Sequence, residues 1–316
     1  MGGQRGRVRD PKRLLINADM ALFRAKAEGR ARYAVFTSAM AEEARRQNER
    51  SIALGDALHG DAFRPWFQPM IDLETNRVVG LEMLARWHDP ERGVLMPNDF
   101  LEDAESISLM EEIGLQVLER GLDALRNWRN MALEIPVIHL NLSRTQLLSS
   151  SFVDRVSWAL DEANISPEHI AVEVDERDCG ARGGEVAVAN VNRLRQTGVA
   201  IVLDNFGTDR ASLANIGPLG AKCMKCSPFT IERMFGKQSE DTQVRVLSAL
   251  NIAAGALGIS IRANGIETQE QSAFFGSAGV QVQQGDHLAT VMDIEQTAEF
   301  IRSQQDALGA EVRKVS

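Results

Sequence analysis

Six polar residues each stand at the end of a short apolar run: Glu82, Asn141, Glu173, Asp204, Lys225 and Asn264. Carboxylate and carboxamide oxygens are the hard donors that a Mg²⁺- or Mn²⁺-type cation takes, and a lysine can face a phosphate. A lone Glu at the end of a strand is more often a surface residue or the neighbour of a helix cap. Oxygen donors converging from several strands of one sheet are much harder to explain that way. The set predicts a divalent-metal and phosphate site.

Such convergence needs strands that end side by side. From Phe63 onward, strand-like runs alternate with helical patterns. The strands are expected at 64–70, 78–86, 137–142, 170–174, 200–203, 223–225, 260–263 and 281–283. The helical patterns fall at about 98–130, 150–163, 184–197, 240–257 and 268–276. Thr75-Asn76-Arg77 is a turn that pairs the first two strands as a hairpin. The later alternation implies parallel strands joined by crossover helices. The expected class is α/β: a modified TIM (β/α)8 barrel with an antiparallel first strand and an N-terminal helical appendage. In that fold functional side chains project from the C-terminal strand ends, where all six residues fall. A doubly wound open sheet is the alternative, weakened because no Gly-rich dinucleotide loop follows any strand.

Ahead of the barrel, Leu14 to Ala27 has helical apolar spacing and stops at Gly29, and Tyr33 to Phe36 is a short strand-like run. A polar helix follows from about Ala39 to Leu58, with Ser38 as its expected cap, and reads as a connector.

The totals narrow the function. The chain has 316 residues, 44% hydrophobic and 25% charged, which fits one large domain with a small appendage. A net charge of −9 argues against a nucleic-acid polymer as partner, though local cations can hold a small phosphorylated ligand. No apolar run is long enough to span a membrane and no signal-peptide core opens the chain, so a cytoplasmic protein is expected. Cys179, Cys223 and Cys226 are too few and odd in number for a disulfide framework, which favours a reducing compartment. Cys223 and Cys226 form a C-x-x-C, but three residues apart on a strand their thiols face opposite sides.

The motifs carry a resemblance. Phe67-Gln68-Pro69, Gly80-Leu81-Glu82-Met83-Leu84-Ala85-Arg86-Trp87, Leu140-Asn141-Leu142-Ser143, Val172-Glu173-Val174-Asp175-Glu176, Leu203-Asp204-Asn205-Phe206-Gly207-Thr208 and Gln284-Gly285 follow the order of an EAL domain. The match covers about residues 63–302, with Glu82-Met83-Leu84 as the signature tripeptide. EAL domains are cyclic-di-GMP phosphodiesterases. Asn17 to Arg30 resembles the last helix of a GGDEF, or diguanylate cyclase, domain. The implied organisation is a GGDEF C-terminal remnant over 1–36, a connector helix over 37–60, an EAL-like barrel over 61–305 and a tail over 306–316.

The resemblance also assigns roles. Family members use two metals, usually Mg²⁺ or Mn²⁺, to polarise the phosphate and acidify a water. The first metal would be held by Glu82, Asn141, Glu173 and Asp204, all of the expected types. Lys225 would be a catalytic phosphate or water partner. Gln68, Arg86 and Gln284 would line the ligand site, and Glu176 would anchor the loop that follows Phe206.

The second metal is another matter. Where the family has a second Asp, this chain has Asn205, and where it has a Glu that helps hold the metal and the attacking water, this chain has Asn264. Amides lack the charge, and an amide cannot take a proton from water at neutral pH. Ser227 replaces a further carboxylate, Asp175 replaces a Thr, the loop Gly207-Thr208-Asp209-Arg210-Ala211-Ser212 departs from the usual sequence, and Asp286-His287 replaces an aromatic–aliphatic pair. The reading is a degenerate EAL domain that binds cyclic-di-GMP with little or no turnover, acting as a receptor or regulatory module. One alternative is a weak Mg²⁺- or Mn²⁺-dependent phosphodiesterase in which Glu267 takes over as base. Another is a scaffold that binds a protein partner and no ligand. A homodimer is implied by resemblance only.

Overall fold

The structure is a computed structural model and describes residues 11–27, 29, 32–180, 184–206, 219–236 and 238–315. Helices α1 (Pro11–Ala27) and α2 (Ser38–His59) precede the barrel. The cap of α2 is Thr37, whose hydroxyl accepts from the Met40 amide, one residue ahead of Ser38. Residues 33–36 do not form a strand: Tyr33 is 89% exposed and Val35 69%, with no sheet edge to pair with.

Eight strands close the barrel. They are β1 (Phe63–Asp72), β2 (Arg77–Asp89), β4 (Ile138–Leu142), β5 (Ile170–Asp175), β6 (Ala200–Asp204), β7 (Cys223–Cys226), β8 (Ser260–Ala263) and β9 (Val282–Gln283). β1 runs antiparallel to both β2 and β9, and the strands from β2 to β9 are otherwise parallel neighbours in the order 2-4-5-6-7-8-9. Closure through β1 and β9 excludes the open doubly wound sheet. The hairpin turn places Asn76 at φ 51°, the left-handed region that Asn tolerates. A short β3 (Gly93–Leu95) flanks β2 outside the closed ring.

The helices that cover the barrel are α3 (Leu101–Ser106), α4 (Met110–Asn130), α5 (Arg144–Leu148), α6 (Ser150–Ala163), α7 (Glu176–Gly180), α8 (Gly184–Thr197), α9 (Pro228–Phe235), α10 (Glu240–Ala256), α11 (Gln269–Ser277) and α12 (Ile294–Val315). The single helix expected over 98–130 is two helices, because Ser108 takes φ 61° and breaks the backbone between α3 and α4. The main core lies between the outer face of the strands and these helices. Trp128 of α4 meets Phe67 of β1 edge-on at 4.9 Å between ring centres.

Inside the ring the layers differ in chemistry. Ala171, Val202 and Cys223 form a small apolar floor with Val137 and Ala200. Cys226, by contrast, belongs to the outer core, so the two thiols do face opposite sides of β7. Above the floor the inward positions turn charged, as the alternation along each strand carries the chain from Ala171 to Glu173, from Val202 to Asp204 and from Cys223 to Lys225.

Candidate functional site

Lys225 is the hub of that charged layer. Its Nζ donates to Glu82 Oε2 at 2.6 Å and to both oxygens of Glu173 at 2.9 and 2.8 Å. The ammonium and Glu173 are each about 1% exposed. The strands explain the meeting. β5 lies two strands from β7 around the ring, with its Glu173 in register with Asn141 of β4, while Lys225 of β7 is in register with Arg262 of β8. Long side chains then reach inward across the barrel.

Burial alone would raise the Glu173 carboxyl, but Lys225 and the His139 hydrogen bond bring it down to about 2. Burial alone would lower the Lys225 ammonium. Glu173, Glu82 and Asp204 more than offset that and hold it well above its usual range. The two directions agree: both partners are ionised. Asp204 is different. Burial pushes its carboxyl up to about 6 although Lys225 opposes it, with Glu173 and Glu82 adding like-charge repulsion. Its Oδ2 accepts from Asn205 Nδ2 at 3.0 Å, whereas its Oδ1 is buried with no hydrogen-bond partner.

Glu82 collects the residues nearer the mouth. Asn141 Nδ2 donates to Glu82 Oε1 at 2.7 Å, and Gln284 Nε2 donates to Glu82 Oε2 at 2.8 Å. Gln284 also donates to Gln68 Oε1 at 3.1 Å, and Gln68 in turn donates to Asp286 Oδ1 and the Ala289 carbonyl. Gln68 and Glu82 are register partners on β1 and β2. The structure thus draws Gln68, Glu82, Asn141, Glu173, Asp204, Asn205, Lys225 and Gln284 into one continuous cluster. Asn205 takes φ 54°, which turns its amide back onto Asp204 and Asp175.

Asn264 follows β8, and its amide N–H donates to the Cys226 carbonyl at 2.9 Å. Its side-chain oxygen is buried without a partner. Glu267 is exposed on the segment leading to α11. The Glu176 side chain and the loop 207–212 lie outside the described residues. Arg86 shares the inward face of β2 with Glu82 but is 2% exposed. Its Nη1 donates to the Ala85 carbonyl, its guanidinium stands 5.6 Å from the Trp66 ring centre, and its Nε has no partner. Burial lowers its pKa.

Two residues of the layer have no place in the sequence motifs. His139 Nδ1 lies 2.8 Å from Glu173 Oε1, and Arg262 Nη1 lies 3.1 Å from His139 Nε2. Arginine can only donate, so Nε2 accepts and Nδ1 carries the ring proton to Glu173. Period-2 alternation was the available signal: His139 is two before Asn141, and Arg262 two before Asn264.

Residues 51–290 match the EAL domain family. The chain belongs to that family. It is 31% identical over 283 residues to "Bifunctional diguanylate cyclase/cyclic di-GMP phosphodiesterase MucR" of Pseudomonas aeruginosa, an alignment covering 90% of this chain and 41% of that protein. It is 29% identical to "Oxygen sensor protein DosP" of Escherichia coli, covering 86% of this chain and 34% of that one. The chain therefore spans less than half the length of these relatives. Among solved structures it resembles the PaMucR phosphodiesterase in complex with c-di-GMP, with a TM-score of 0.71, 28% identity and coverage of 79% of this chain and 99% of that one. The Xanthomonas citri FimX EAL domain shares the fold at a TM-score of 0.70 and 19% identity.

EAL domains generally depend on a divalent metal. Among the described residues no three His, Cys, Asp or Glu side chains are drawn together as a ligating group. The donor chemistry still fits one hard cation: Glu82, Glu173 and Asp204 offer carboxylates, Asn141 an amide oxygen, and Asp204 Oδ1 is a buried acceptor awaiting a partner. It fits a second cation poorly, since Asn205 and Asn264 are neutral. Among the described helices none is long and apolar enough to cross a membrane.

Proposed function

We propose that the barrel mouth of this EAL domain binds cyclic-di-GMP and hydrolyses it little or not at all, so that the domain works as a receptor or regulatory module. One observation carries the reading: Asn264 sits at the mouth with a buried, unpartnered amide oxygen where the chemistry requires an anionic, proton-accepting group. Glu82, Asn141, Glu173 and Asp204 would hold one Mg²⁺ or Mn²⁺ ion. Bound there, such an ion would polarise a phosphodiester oxygen.

The rest falls to the chain's own residues. Gln68 and Gln284 present amide groups at the rim, tied to each other and to Glu82. Arg86 keeps its Nε–H free of any partner. A guanidinium can grip a phosphate through two N–H groups at once. Lys225 faces the phosphate side of the cluster with a fixed positive charge. At position 264 the amide cannot take the proton from an attacking water.

Residues 1–36 are read as the end of a GGDEF domain on the resemblance of Asn17 to Arg30. The cysteines are free thiols, which supports a reducing, cytoplasmic setting. A homodimer or a protein partner would carry the signal onward.

The test is a calorimetric titration of cyclic-di-GMP in Mg²⁺ and again in Mn²⁺, with the final mixture analysed by chromatography. Binding with no linear product is expected. Steady production of linear dinucleotide would establish the alternative, a weak phosphodiesterase. No heat and no change in melting temperature at saturating ligand would refute both and leave an interaction scaffold. The double reversal Asn205→Asp with Asn264→Glu is expected to add metal binding without restoring full activity, because Ser227 and the altered loop remain. Unchanged metal stoichiometry and turnover would show that these two positions do not form the second site.

A further inference from the structure

Glu173 of β5 is held from two sides by groups on other strands, His139 of β4 and Lys225 of β7. On one side stands Lys225. On the other stands a chain of two residues, Arg262 to His139 to Glu173, at 3.1 and 2.8 Å. Arg262 Nη1 also donates to the Met70 sulfur at 3.4 Å, so its guanidinium is seated against β1 from β8. His139 is 1% exposed, and its neighbours on the barrel floor are apolar. Arg262 is itself only half-buried, yet taking a guanidinium even partly out of water has a cost unless its donors are used. It makes no ion pair with a carboxylate among the described residues; its polar partner is the imidazole.

The consequence falls on Glu173. The carboxylate accepts three hydrogen bonds, one from His139 and two from Lys225. Arg262 polarises the imidazole, which strengthens the bond that Nδ1–H gives to Glu173. Each of these donations draws electron density from the oxygens that a divalent cation would use. Lys225 also puts a fixed positive charge directly against Glu82 and Glu173, whose oxygens such a cation would need. Preorganisation works the other way, since a fixed carboxylate is a better ligand than a loose one. Here the carboxylate is fixed towards a cation that the protein already holds, so saturation and repulsion outweigh preorganisation.

We propose that Arg262 and His139 are positioning residues that clamp Glu173 onto Lys225 and so weaken divalent-metal binding at the mouth of the barrel. This rests on reading Glu82, Asn141, Glu173 and Asp204 as the metal position. The clamp is a second reason, independent of Asn205 and Asn264, for low turnover.

The test is Mn²⁺ binding to the full chain, followed by the electron paramagnetic resonance signal of the free ion, without nucleotide. Arg262→Met is expected to tighten Mn²⁺ binding about tenfold or more, a change of the size that outer partners of metal ligands exert. Arg262→Lys, which keeps a cationic donor, is expected to stay near the unmodified protein, whereas a merely structural role would not separate Met from Lys. Should Arg262→Met fail to fold, His139→Leu with Arg262→Met replaces both partners by apolar groups and is expected to show the same tightening. Adding Glu173→Gln to either variant is expected to abolish the gain. Equal or weaker Mn²⁺ binding in both apolar variants overturns the clamp, as does a complete lack of Mn²⁺ binding in every chain. A gain that survives Glu173→Gln places the ion elsewhere and overturns the metal position itself. The nucleotide titration of the unmodified chain judges the receptor reading separately.

Discussion

Replacing Lys225 by Met is the most revealing single perturbation. Methionine is close in length and apolar, so the change removes charge and donors while nearly filling the space. Three hydrogen bonds disappear, and Glu82 and Glu173 are left facing each other without the cation between them. Breaking one side of a buried ion pair costs about 3–5 kcal/mol. For a barrel of this size that is a fall in Tm of roughly 6–20 °C near neutral pH. The pH dependence supplies the sharper test. In the unmodified chain Glu173 is depressed from 4.5 to about 2, so its contribution is fully present above about pH 4.5 and is lost as the pH falls towards 2. Without Lys225, burial acts on Glu173 with much less opposition and its carboxyl rises. The variant should then regain stability relative to the parent as the pH falls from 7 to 5, because protonation relieves the exposed repulsion. Thermal melts by circular dichroism at pH 5, 6, 7 and 8 measure both effects. A Tm within about 2 °C of the parent at pH 7, or a gap that stays constant with pH, would refute the account of Lys225 as the hub.

Asp204→Asn is expected to stabilise the fold above pH 6. A folded-state value of about 6 against 3.8 means that ionising Asp204 opposes folding by up to about 3 kcal/mol above pH 6, an effect that vanishes as the pH falls to 4; a Tm gain at pH 8 absent at pH 4 supports this, and a loss at pH 8 contradicts it. Gly285→Ala is expected to destabilise by about 2–5 kcal/mol. Gly285 has φ 155°, and a methyl there would overlap the main chain of Ile266, so urea melts should show a clear drop in midpoint. Arg86→Lys is expected to weaken cyclic-di-GMP binding by about tenfold while leaving the melt nearly unchanged, since a lysine cannot grip phosphate with two prongs; unaltered affinity would remove Arg86 from the site.

The barrel was legible because its signals are local and repeated. Each parallel strand is a short apolar run, each crossover a helical period, and the hairpin turn carries its own Asn. The strands β4 to β9 lie within a residue of their expected places. What escaped were short elements whose stability comes from neighbours, such as β3, which exists only as an edge on β2, and α5, a single turn closed by the Ser143–Gln146 capping box, together with α9 and the long α12, which runs through the residues expected as a tail. The stretch 33–36 shows the converse, since strand-like composition without a partner yields no strand. The inward-facing acids and Lys225 could be read from their position at strand ends. Their pairing could not, because which carboxylate meets Lys225 depends on the tilt and closure of the barrel. His139 and Arg262 were hidden for a further reason: one strand step below the mouth, a His or an Arg in an apolar run reads as an interruption of a core strand.

That hidden layer alters how the site is judged. Counting ligand types alone, four oxygen donors survive and two are neutralised, which describes a half-intact metal centre. Counting charges inside the barrel gives a different picture. Glu82 and Glu173 already face Lys225, and Arg262 stands behind His139, so the two carboxylates meet a cation that the barrel itself supplies, with a second one standing behind. Asp204, pushed up to about 6, is the one carboxylate left without a cationic partner at hydrogen-bond distance. A divalent ion entering this mouth gains little from a layer that is already balanced, and it must draw Glu173 away from three donors. A cyclic dinucleotide carries its own negative charge and needs the opposite: donors and cations that are in place before it arrives. Arg86, with its Nε–H unspent, and the amides of Gln68 and Gln284 are in place, while Lys225 contributes charge from below with its donors already used. On the proposed receptor reading, the same balance would disfavour a divalent ion and suit an anionic ligand, and restoring Asn205→Asp and Asn264→Glu without loosening Arg262 should therefore recover less metal affinity than the two carboxylates would supply in an unclamped site.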